Sequence, residues 1–591
     1  MMNKKLAIFA LVDLLMRLRR SVAGNTLAMV AAGLVPLTAM IGSGVDMSRA
    51  YMVKSRLQQA CDAGVLAGRK AMADGEYTTA AKGIAEDYFD INFPNDYMES
   101  TNASFTTDNP AGGSTVVGNA SVTVPTVIMR MFNIDGMDMA VNCTAQLEIA
   151  NSDITFVLDN TGSMACPENS NTDQCNRYFV ANGYVPVEGV AFEGLSQTSR
   201  LAALRTAMDS FYSTIDDAAE NSGARVRYAF VPYSQTVNTG YLLQPDHIVN
   251  EHSYQSTELE TIEYFRSQNP TYTADCDRYF GTWPGYRVYG RYDATYGGCI
   301  WDEERRVYRQ VTFDVSNYKA GIATQDPTER TSNSYTWAGC IEERDTIGTG
   351  AISFDIGSGQ FSPSGLFDLD IDGAPFDDAT RWRPYWPEIS VRRFFGIEST
   401  TDVDETRTPQ VACPARSATL AQYANLADYQ TFNQSLIPDG GTYHDIGLLW
   451  GARLSSTTGI FSANVQEAPN NGGFVGRHLV WMTDGDLGAS TSAYSSYGIE
   501  RHDGRITGVV NGESDEYGAQ VPNIETRYTE LCRAIKAKGI RLWVVAFNTA
   551  LTTELTDCAS PNSSYVANNA SELNTAFAII AEQIAELRLT E

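Results

Sequence analysis

Short apolar runs, each followed by polar residues, constrain the fold of this chain more than any other feature. Four such runs have the length and composition of buried strands, and they lie at 154–158, 226–231, 479–482 and 542–547. Stretches with helical apolar spacing alternate with them. This alternation predicts an α/β fold with a doubly wound, mostly parallel, Rossmann-like sheet. In such a sheet the strands end at one edge, where ligand sites form.

Five oxygen-bearing side chains are expected at that edge. Asp159, Thr161 and Ser163 follow the first run, Asp484 follows the third, and Thr442 follows a glycine pair at a predicted helix start. Carboxylate and hydroxyl oxygens suit hard cations, so we expect a divalent cation here: Mg²⁺ first, with Ca²⁺ or Mn²⁺ as alternatives. The competing interpretation is that Asp159 and Ser163 only cap a helix.

These fragments resemble the metal-ion-dependent adhesion site of the von Willebrand factor A domain, whose D-x-[ST]-x-S motif matches 159–163. The resemblance implies that Ser163 and Thr442 contact the metal directly. It also implies that Asp159 and Asp484 act partly through water, and that a partner's acidic side chain completes the metal's coordination. The domain would span 151–240 and 430–591, with an inserted module at 241–429 rich in aromatic residues and cysteine.

The N-terminal part predicts a membrane anchor. A basic segment at 1–20 precedes an uncharged stretch at 21–45 that is long enough to span a bilayer as a transmembrane helix. The basic flank predicts a cytoplasmic N-terminus. A helical pattern continues into a small α+β region at 46–150. The alternative is a cleaved signal peptide.

Residues 20 to 70 resemble the N-terminal segment of TadE/TadG-like proteins of tight-adherence (Flp) pilus systems, through 20–25, 44–51 and 57–63. TadE proteins are processed at a glycine followed five residues later by glutamate. Here Met29 lies five residues after Gly24, so the sequence is closer to TadG. This resemblance implies a single-pass protein of the bacterial inner membrane with its bulk in the periplasm, or elsewhere in the cell envelope or at its surface. The implied role is Flp pilus assembly, anchoring and adherence, with other pilus proteins as partners.

Charge and cysteine content narrow the function classes. The formal net charge is −28, and nucleic acid binding needs a basic face, so we expect none. The ten cysteines form no C-x-x-C pair, which argues against a zinc ribbon. Their spacing predicts disulfides and therefore an oxidising compartment, with ten buried free thiols as the alternative.

Two features of the inserted module leave alternatives open. Its aromatic residues could form a glycan-binding or protein-binding face or fill a small core; they are Trp283, Tyr286, Tyr289, Tyr292, Tyr296 and Trp301. The segment 368–373 matches half of a calcium loop, or is an alternating strand and turn. A surface adhesin or matrix-binding protein is therefore the alternative function. We expect no enzyme, because no nucleophile and base pair accompanies the metal fragments.

Overall fold

The computed structural model of this protein describes most of the chain. The described residues are 22–72, 77–94, 96–109, 115–147, 151–182, 194, 198–219, 224–267, 282–283, 286–328, 332–389, 411–470, 473–485, 487–511, 514–585 and 587–590. They belong to two compact units, residues 1–149 with 585–591 and residues 150–584.

The first unit consists of two helices and an antiparallel sheet. Its elements are α1 (Val22–Met72), α2 (Thr79–Asn92), β1 (Thr101–Asp108), β2 (Thr115–Pro125), β3 (Gly136–Leu147) and β22 (Leu587–Thr590). The strand order is β1-β2-β3-β22. Alternate residues of β2 are buried, which gives the sheet one core-facing side.

The long helix α1 packs against this sheet through its C-terminal half. Val53, Leu57 and Val65 are fully buried there, as the helical spacing predicts. A disulfide joins Cys61 of α1 to Cys143 of β3. The carboxylate of Asp46 accepts hydrogen bonds from the backbone N–H groups of 127–129 at 2.8 to 2.9 Å. These donors hold the pKa of Asp46 below its usual value despite its burial, so the loop is fixed to the helix by an ionised side chain.

The second unit contains a six-stranded mixed sheet with order β16-β5-β4-β17-β20-β21. Its strands are β4 (Asn151–Asp159), β5 (Val226–Tyr233), β16 (Ala418–Ala421), β17 (Val475–Thr483), β20 (Arg541–Phe547) and β21 (Ser564–Ala567). The main helices are α3 (Thr172–Asn182), α4 (Arg200–Ala219), α6 (Leu426–Ser435), α7 (His444–Ser455), α10 (Gln520–Ala537) and α12 (Ala570–Ile584). The four strands expected from the apolar runs are all present.

The module between β5 and β16 is built largely from antiparallel pairs. Its elements are β6 (Glu251–Ser267), β7 (Thr282–Trp283), β8 (Tyr286–Asp293), β9 (Gly298–Asp314), α5 (Ser316–Lys319), β10 (Thr324–Gln325), β11 (Ser334–Tyr335), β12 (Ile341–Glu342), β13 (Ser353–Asp355), β14 (Gln360–Ser362) and β15 (Arg383–Pro384). Short elements complete the unit: α8 (Ser462–Val465), β18 (Tyr494–Ser495), β19 (Gly498–Ile499), α9 (Glu500–Asp503) and α11 (Thr553–Cys558). Module residues such as Trp382 share one buried core with Trp450 of α7.

The predicted fold class is wrong. The sheets are mostly small antiparallel ones, and the largest is mixed, so the chain does not form a doubly wound parallel sheet. The strand β16 pairs antiparallel with β5, although its sequence falls within the segment assigned to the insertion. Apolar periodicity identifies a buried strand but carries no information on the direction or identity of its partner. For this reason the sequence could not reveal the antiparallel pairings.

The transmembrane helix expected at 21–45 is also a wrong prediction. Within the described parts of the chain, none of the helices has both the length and the apolarity that crossing a bilayer requires. The helix α1 covers most of this stretch, and glycine and hydroxyl residues interrupt its apolar sequence, among them Gly33, Thr38, Gly42 and Ser43.

Disulfides connect the cysteines, as their spacing predicts. Among the described residues of the second unit, disulfides join Cys166 to Cys175, Cys340 to Cys413, and Cys532 to Cys558. Cys299 is disulfide-bonded as well. Among the described residues no cysteine is free, which fits an oxidising compartment and argues against buried thiols.

Candidate metal site

Four of the five predicted ligand side chains come together where β4 and β17 end side by side. The hydroxyls of Thr161 and Ser163 lie 2.8 Å apart. Ser163 Oγ donates to Asp484 Oδ1 at 2.7 Å, and Thr161 N donates to Asp159 Oδ1 at 3.0 Å. We call Asp159, Thr161, Ser163 and Asp484 the oxygen cluster. The parallel pairing of β4 with β17 explains the meeting of side chains more than 300 residues apart in sequence.

Thr442 lies in a loop that is hydrogen-bonded to the cluster's first turn. Gly162 N donates to Gly440 O at 3.0 Å, and Gly440 has a φ of +82°, a conformation that favours glycine. The backbone carbonyl of Thr442 accepts from Gly488 N at 3.1 Å. Within the described residues, no hydrogen bond joins the Thr442 hydroxyl to the other four side chains. The structure therefore places this loop beside the site through a backbone hydrogen bond.

Burial and mutual repulsion alter the two carboxyl groups. Both side chains are almost fully buried. Burial raises the pKa of Asp159, and hydrogen bonds from Thr161 and Thr483 oppose that increase. Burial and the nearby charge of Asp159 raise the pKa of Asp484 to about 6, with Arg200 acting in the opposite direction. Two carboxylates this close favour a cation between them, because a cation offsets both desolvation and repulsion.

The donor set fits a hard divalent cation. It offers two carboxylates and two hydroxyls, all oxygen, and Mg²⁺ coordinates oxygen while keeping part of its water. Among the described residues, no three His, Cys, Asp or Glu side chains form a metal-binding group, so an ion here would need the hydroxyls as well. Ser163 and Gly485 are only half-buried, so one side of the cluster faces solvent.

Buried aromatic and hydroxyl groups hold Asp159 from behind. Its Oδ2 accepts from Thr483 Oγ1 at 2.8 Å and from the Tyr233 hydroxyl at 3.3 Å. The same hydroxyl is 3.1 Å from His444 Nδ1 and accepts from Trp481 Nε1 at 3.1 Å. Three elements, β5, α7 and β17, therefore fix the orientation of one carboxylate.

Sequence reasoning missed several residues of this network. Tyr233 and Arg200 carry no motif, since one is the last residue of an apolar strand and the other begins a helix. Gln235 was also missed; its Oε1 accepts from Gly441 N at 3.1 Å. The only available signal was that Tyr233 lies two residues after the strand predicted at 226–231.

The three aspartates of 368–373, the segment that matches half of a calcium loop, contact other groups of the protein. Asp368 is buried and ion-paired with Arg527, and the side chain of Asp372 is ion-paired with Lys538. Asp370 Oδ1 accepts from two backbone N–H groups of its own turn. These contacts give all three aspartates internal partners. Asp368 is buried in a short 3-10 helix (Phe367–Leu369) followed by a turn, so the alternating strand expected as an alternative is wrong and only the turn is confirmed.

The aromatic residues of the inserted module are described only in part. Tyr292 is exposed and Tyr296 is half-buried. The side chains of Trp283, Tyr286, Tyr289 and Trp301 lie outside the described residues. The choice between a binding face and a small core stays open for this group.

The N-terminal segment matches a known family. Residues 24–75 match the family described as "Putative Flp pilus-assembly TadE/G-like", which confirms the resemblance inferred for this segment. The match covers less than a tenth of the chain, so it identifies the segment and not the protein as a whole. No curated protein matches the chain.

Solved structures of low similarity include two pilus proteins. The pilus adhesin SpaC from Lactobacillus rhamnosus GG aligns with a TM-score of 0.30 and 11% identity, over 82% of this chain and 34% of that one. Three N-terminal domains of the type V pili tip protein Mfa5 from Porphyromonas gingivalis align with a TM-score of 0.25 and 8% identity, over 83% and 56%. This chain thus spans about a third of the SpaC structure. Scores this low carry no argument about fold or function.

Proposed function

We propose that this chain is a cell-envelope protein of Flp pilus assembly that binds partner proteins through a divalent cation, Mg²⁺ first, at the oxygen cluster. The observation that carries the metal-binding part is the convergence of Asp159, Ser163 and Asp484 on one hydrogen-bonded site with a solvent-facing side. The TadE/G-like segment supports the pilus role and a location in the envelope or at its surface. The disulfides support an extracytoplasmic location.

The cluster would hold the cation through Asp159, Thr161, Ser163 and Asp484, and Thr442 would join them from its loop. A bound divalent cation supplies an electrophilic centre for an acidic ligand. The site's own residues then have two tasks. They orient the carboxylates through Thr483 and Tyr233, and they keep water away from the buried side of the site. The partner would be another pilus or pilus-assembly protein that presents an acidic side chain.

Binding rather than catalysis is proposed because the ionisable groups around the cluster have structural partners. His444 is buried and directs Nδ1 to the Tyr233 hydroxyl, behind Asp159 and away from the solvent-facing side. The Arg200 guanidinium donates a hydrogen bond to the Asp484 carboxylate. Hydrolysis of model esters or phosphates by the protein, lost in Asp159→Ala, would contradict this part of the proposal.

The decisive experiment compares surface pili and adherence in cells that carry wild-type protein, Asp159→Ala or a deletion. We expect the variant to resemble the deletion at normal protein abundance. Asn464→Ala, a substitution in a half-buried residue of the same unit whose side chain bonds the Leu420 carbonyl, provides a control for general perturbation. Normal pili in the deletion strain would refute the pilus role. Normal pili in Asp159→Ala alone would refute the role of the metal.

A further inference from the structure

Arg200, the first residue of α4, lies against the oxygen cluster. Its Nη1 donates to Asp484 Oδ2 at 2.9 Å and to the Asp484 carbonyl at 3.3 Å. Both side chains are buried, 5% and 0% exposed. Asp484 therefore uses Oδ2 for the guanidinium and Oδ1 for Ser163. Nothing in the predicted adhesion motif calls for a cation at this position.

The guanidinium is fixed in place by the loop that the Cys166–Cys175 disulfide closes. Arg200 Nη2 donates to Ser170 O at 2.7 Å, and Arg200 N donates to Cys166 O at 2.9 Å. Glu168 N also donates to Thr198 O, at 2.9 Å. The buried guanidinium donates to three acceptors, Asp484 Oδ2, the Asp484 carbonyl and the Ser170 carbonyl, so it cannot move into solvent when a metal ion binds. The guanidinium and the metal ion must therefore share Asp484.

We propose that Arg200 determines which ligands the cluster accepts: it lowers the cluster's affinity for the divalent cation and makes the bound cation depend on an anionic partner. This inference rests on the proposed metal site. The formal charges of Asp159, Asp484 and Arg200 add to −1, so a bound divalent cation leaves the site at +1. Without Arg200 the same site would be neutral.

The excess positive charge weakens the binding of the metal ion and strengthens the binding of an anionic partner. An excess positive charge in a buried site repels the incoming metal, because Coulomb interactions are weakly screened away from water. The same excess attracts a carboxylate from a partner and disfavours a neutral amide. Arg200 thereby selects acidic partners at the expense of the affinity for free metal.

The test measures Mg²⁺ and Mn²⁺ affinity by calorimetry on the purified full chain, in wild type, Arg200→Gln and Arg200→Lys. We expect Arg200→Gln to bind either ion about tenfold tighter or more, and Arg200→Lys to stay within about threefold of wild type. The control is Arg205→Gln on the same helix. Arg205 donates to the Asn433 and Leu436 carbonyls, and we expect its replacement to leave the metal affinity unchanged.

A second measurement uses a blocked peptide with one glutamate and its glutamine counterpart, with the metal at saturation. Wild type and Arg200→Lys should prefer the glutamate peptide, and Arg200→Gln should lose most of that preference. Circular dichroism confirms that each variant is folded. If Arg200→Gln fails to fold, the Lys variant decides the outcome, because a gain or loss of metal affinity beyond about tenfold with the charge retained would overturn the charge argument.

The outcomes separate this inference from the proposed function. Absence of metal binding by the wild type, both alone and with the glutamate peptide, would overturn both. Metal binding by the wild type with equal or weaker binding by Arg200→Gln would overturn only the role of Arg200. Tighter metal binding together with an unchanged peptide preference would also overturn it, since the proposal requires both effects.

Discussion

The second unit contains two buried groups of charged side chains that differ in their balance. The oxygen cluster has two carboxylates and two hydroxyls, and one guanidinium, that of Arg200, lies against it. The other group, the ion-pair cluster, balances three carboxylates with three guanidiniums: Glu343, Asp368, Asp445, Arg344, Arg453 and Arg527.

Each carboxylate of the ion-pair cluster lies within ion-pair distance of a guanidinium. Glu343 Oε1 accepts from Arg453 Nη1 at 2.8 Å and from Trp450 Nε1 at 2.6 Å, and its Oε2 accepts from Trp382 Nε1 at 3.1 Å. These bonds join the inserted module to α7. Despite burial, the guanidinium of Arg453 keeps the pKa of Glu343 below its usual value.

The comparison indicates how buried charge can serve two purposes. Where each carboxylate meets a guanidinium and the charges balance, as in the ion-pair cluster, the group holds elements together and has no excess negative charge to attract another cation. Where negative charge exceeds positive charge beside a solvent-facing opening, as at the oxygen cluster, a cation can still be accommodated. The predictions below test this distinction, beginning with the largest expected effect.

Glu343→Gln should destabilise the protein most, by about 3–5 kcal/mol, because it leaves Arg453 buried without a counter-ion. Urea unfolding of the purified chain measures the change as a lower midpoint. The matched control is Glu467→Gln. Glu467 is 63% exposed and pairs with Arg227, and its loss should cost less than about 1 kcal/mol. Equal midpoints for the two variants would contradict a structural role of the balanced cluster.

Mg²⁺ should stabilise the protein through the unbalanced cluster. At about a hundredfold excess over the dissociation constant, mass action predicts about 2.7 kcal/mol and a melting temperature several degrees higher. Differential scanning calorimetry measures it. Ser163→Ala should lose the response. Ser455→Ala should keep it, because Ser455 is also buried but bonds Thr155 and the Gly451 carbonyl.

Tyr233→Phe should cost about 1–2 kcal/mol, because it leaves Trp481 Nε1 and His444 Nδ1 without their buried partner. It should also weaken Mg²⁺ binding, since Asp159 loses one of the groups that orient it. Tyr429→Phe provides the comparison. The Tyr429 hydroxyl is buried and has no hydrogen-bond partner among the described residues, so its removal should be neutral or stabilising. Chemical unfolding and calorimetry of both variants measure these effects.

The dependence of stability on pH should be a smaller effect than those of the three preceding predictions. Near neutral pH, the free energy of unfolding should increase as the pH falls. Burial raises the pKa of Asp445 and of Asp503 to about 7, so the folded state binds these protons more tightly than the unfolded state. The destabilisation that results from ionising these two buried carboxyl groups is fully present above about pH 7, and it disappears as the pH falls toward about 4.

The contribution of Glu342 to stability changes with pH in the opposite direction. Burial opposes ionisation, but the nearby His252 and Arg505 lower its pKa to about 2, so its contribution is present above about pH 4.5 and is lost as the pH falls through 2. We therefore expect the unfolding free energy of the metal-free protein to be greatest on the acidic side of neutral, near about pH 5. A maximum at pH 8 in urea titrations would refute this assignment.

Local chemistry fixed much of what was predicted correctly. The runs at 154–158 and 479–482 had to be buried strands, because their side chains are apolar and the flanking residues favour turns. The positions of Asp159 and Asp484 followed from those strand ends. The long helix α1 with its buried Val53 and Leu57 followed from helical spacing. Disulfides were expected from the spacing of the cysteines, but their pairing was not.

Pairing between distant segments lay beyond the sequence. Nothing in residues 418–421 shows that they add an antiparallel strand to β5. The apolar character of 21–45 likewise does not show where the rest of α1 packs. Arg200 reaches Asp484 across 284 residues only because the Cys166–Cys175 loop fixes the start of α4 beside the end of β17. The sequence alone determines which oxygens are available. Tertiary structure determines their charge balance, because that depends on which distant cation is buried beside them.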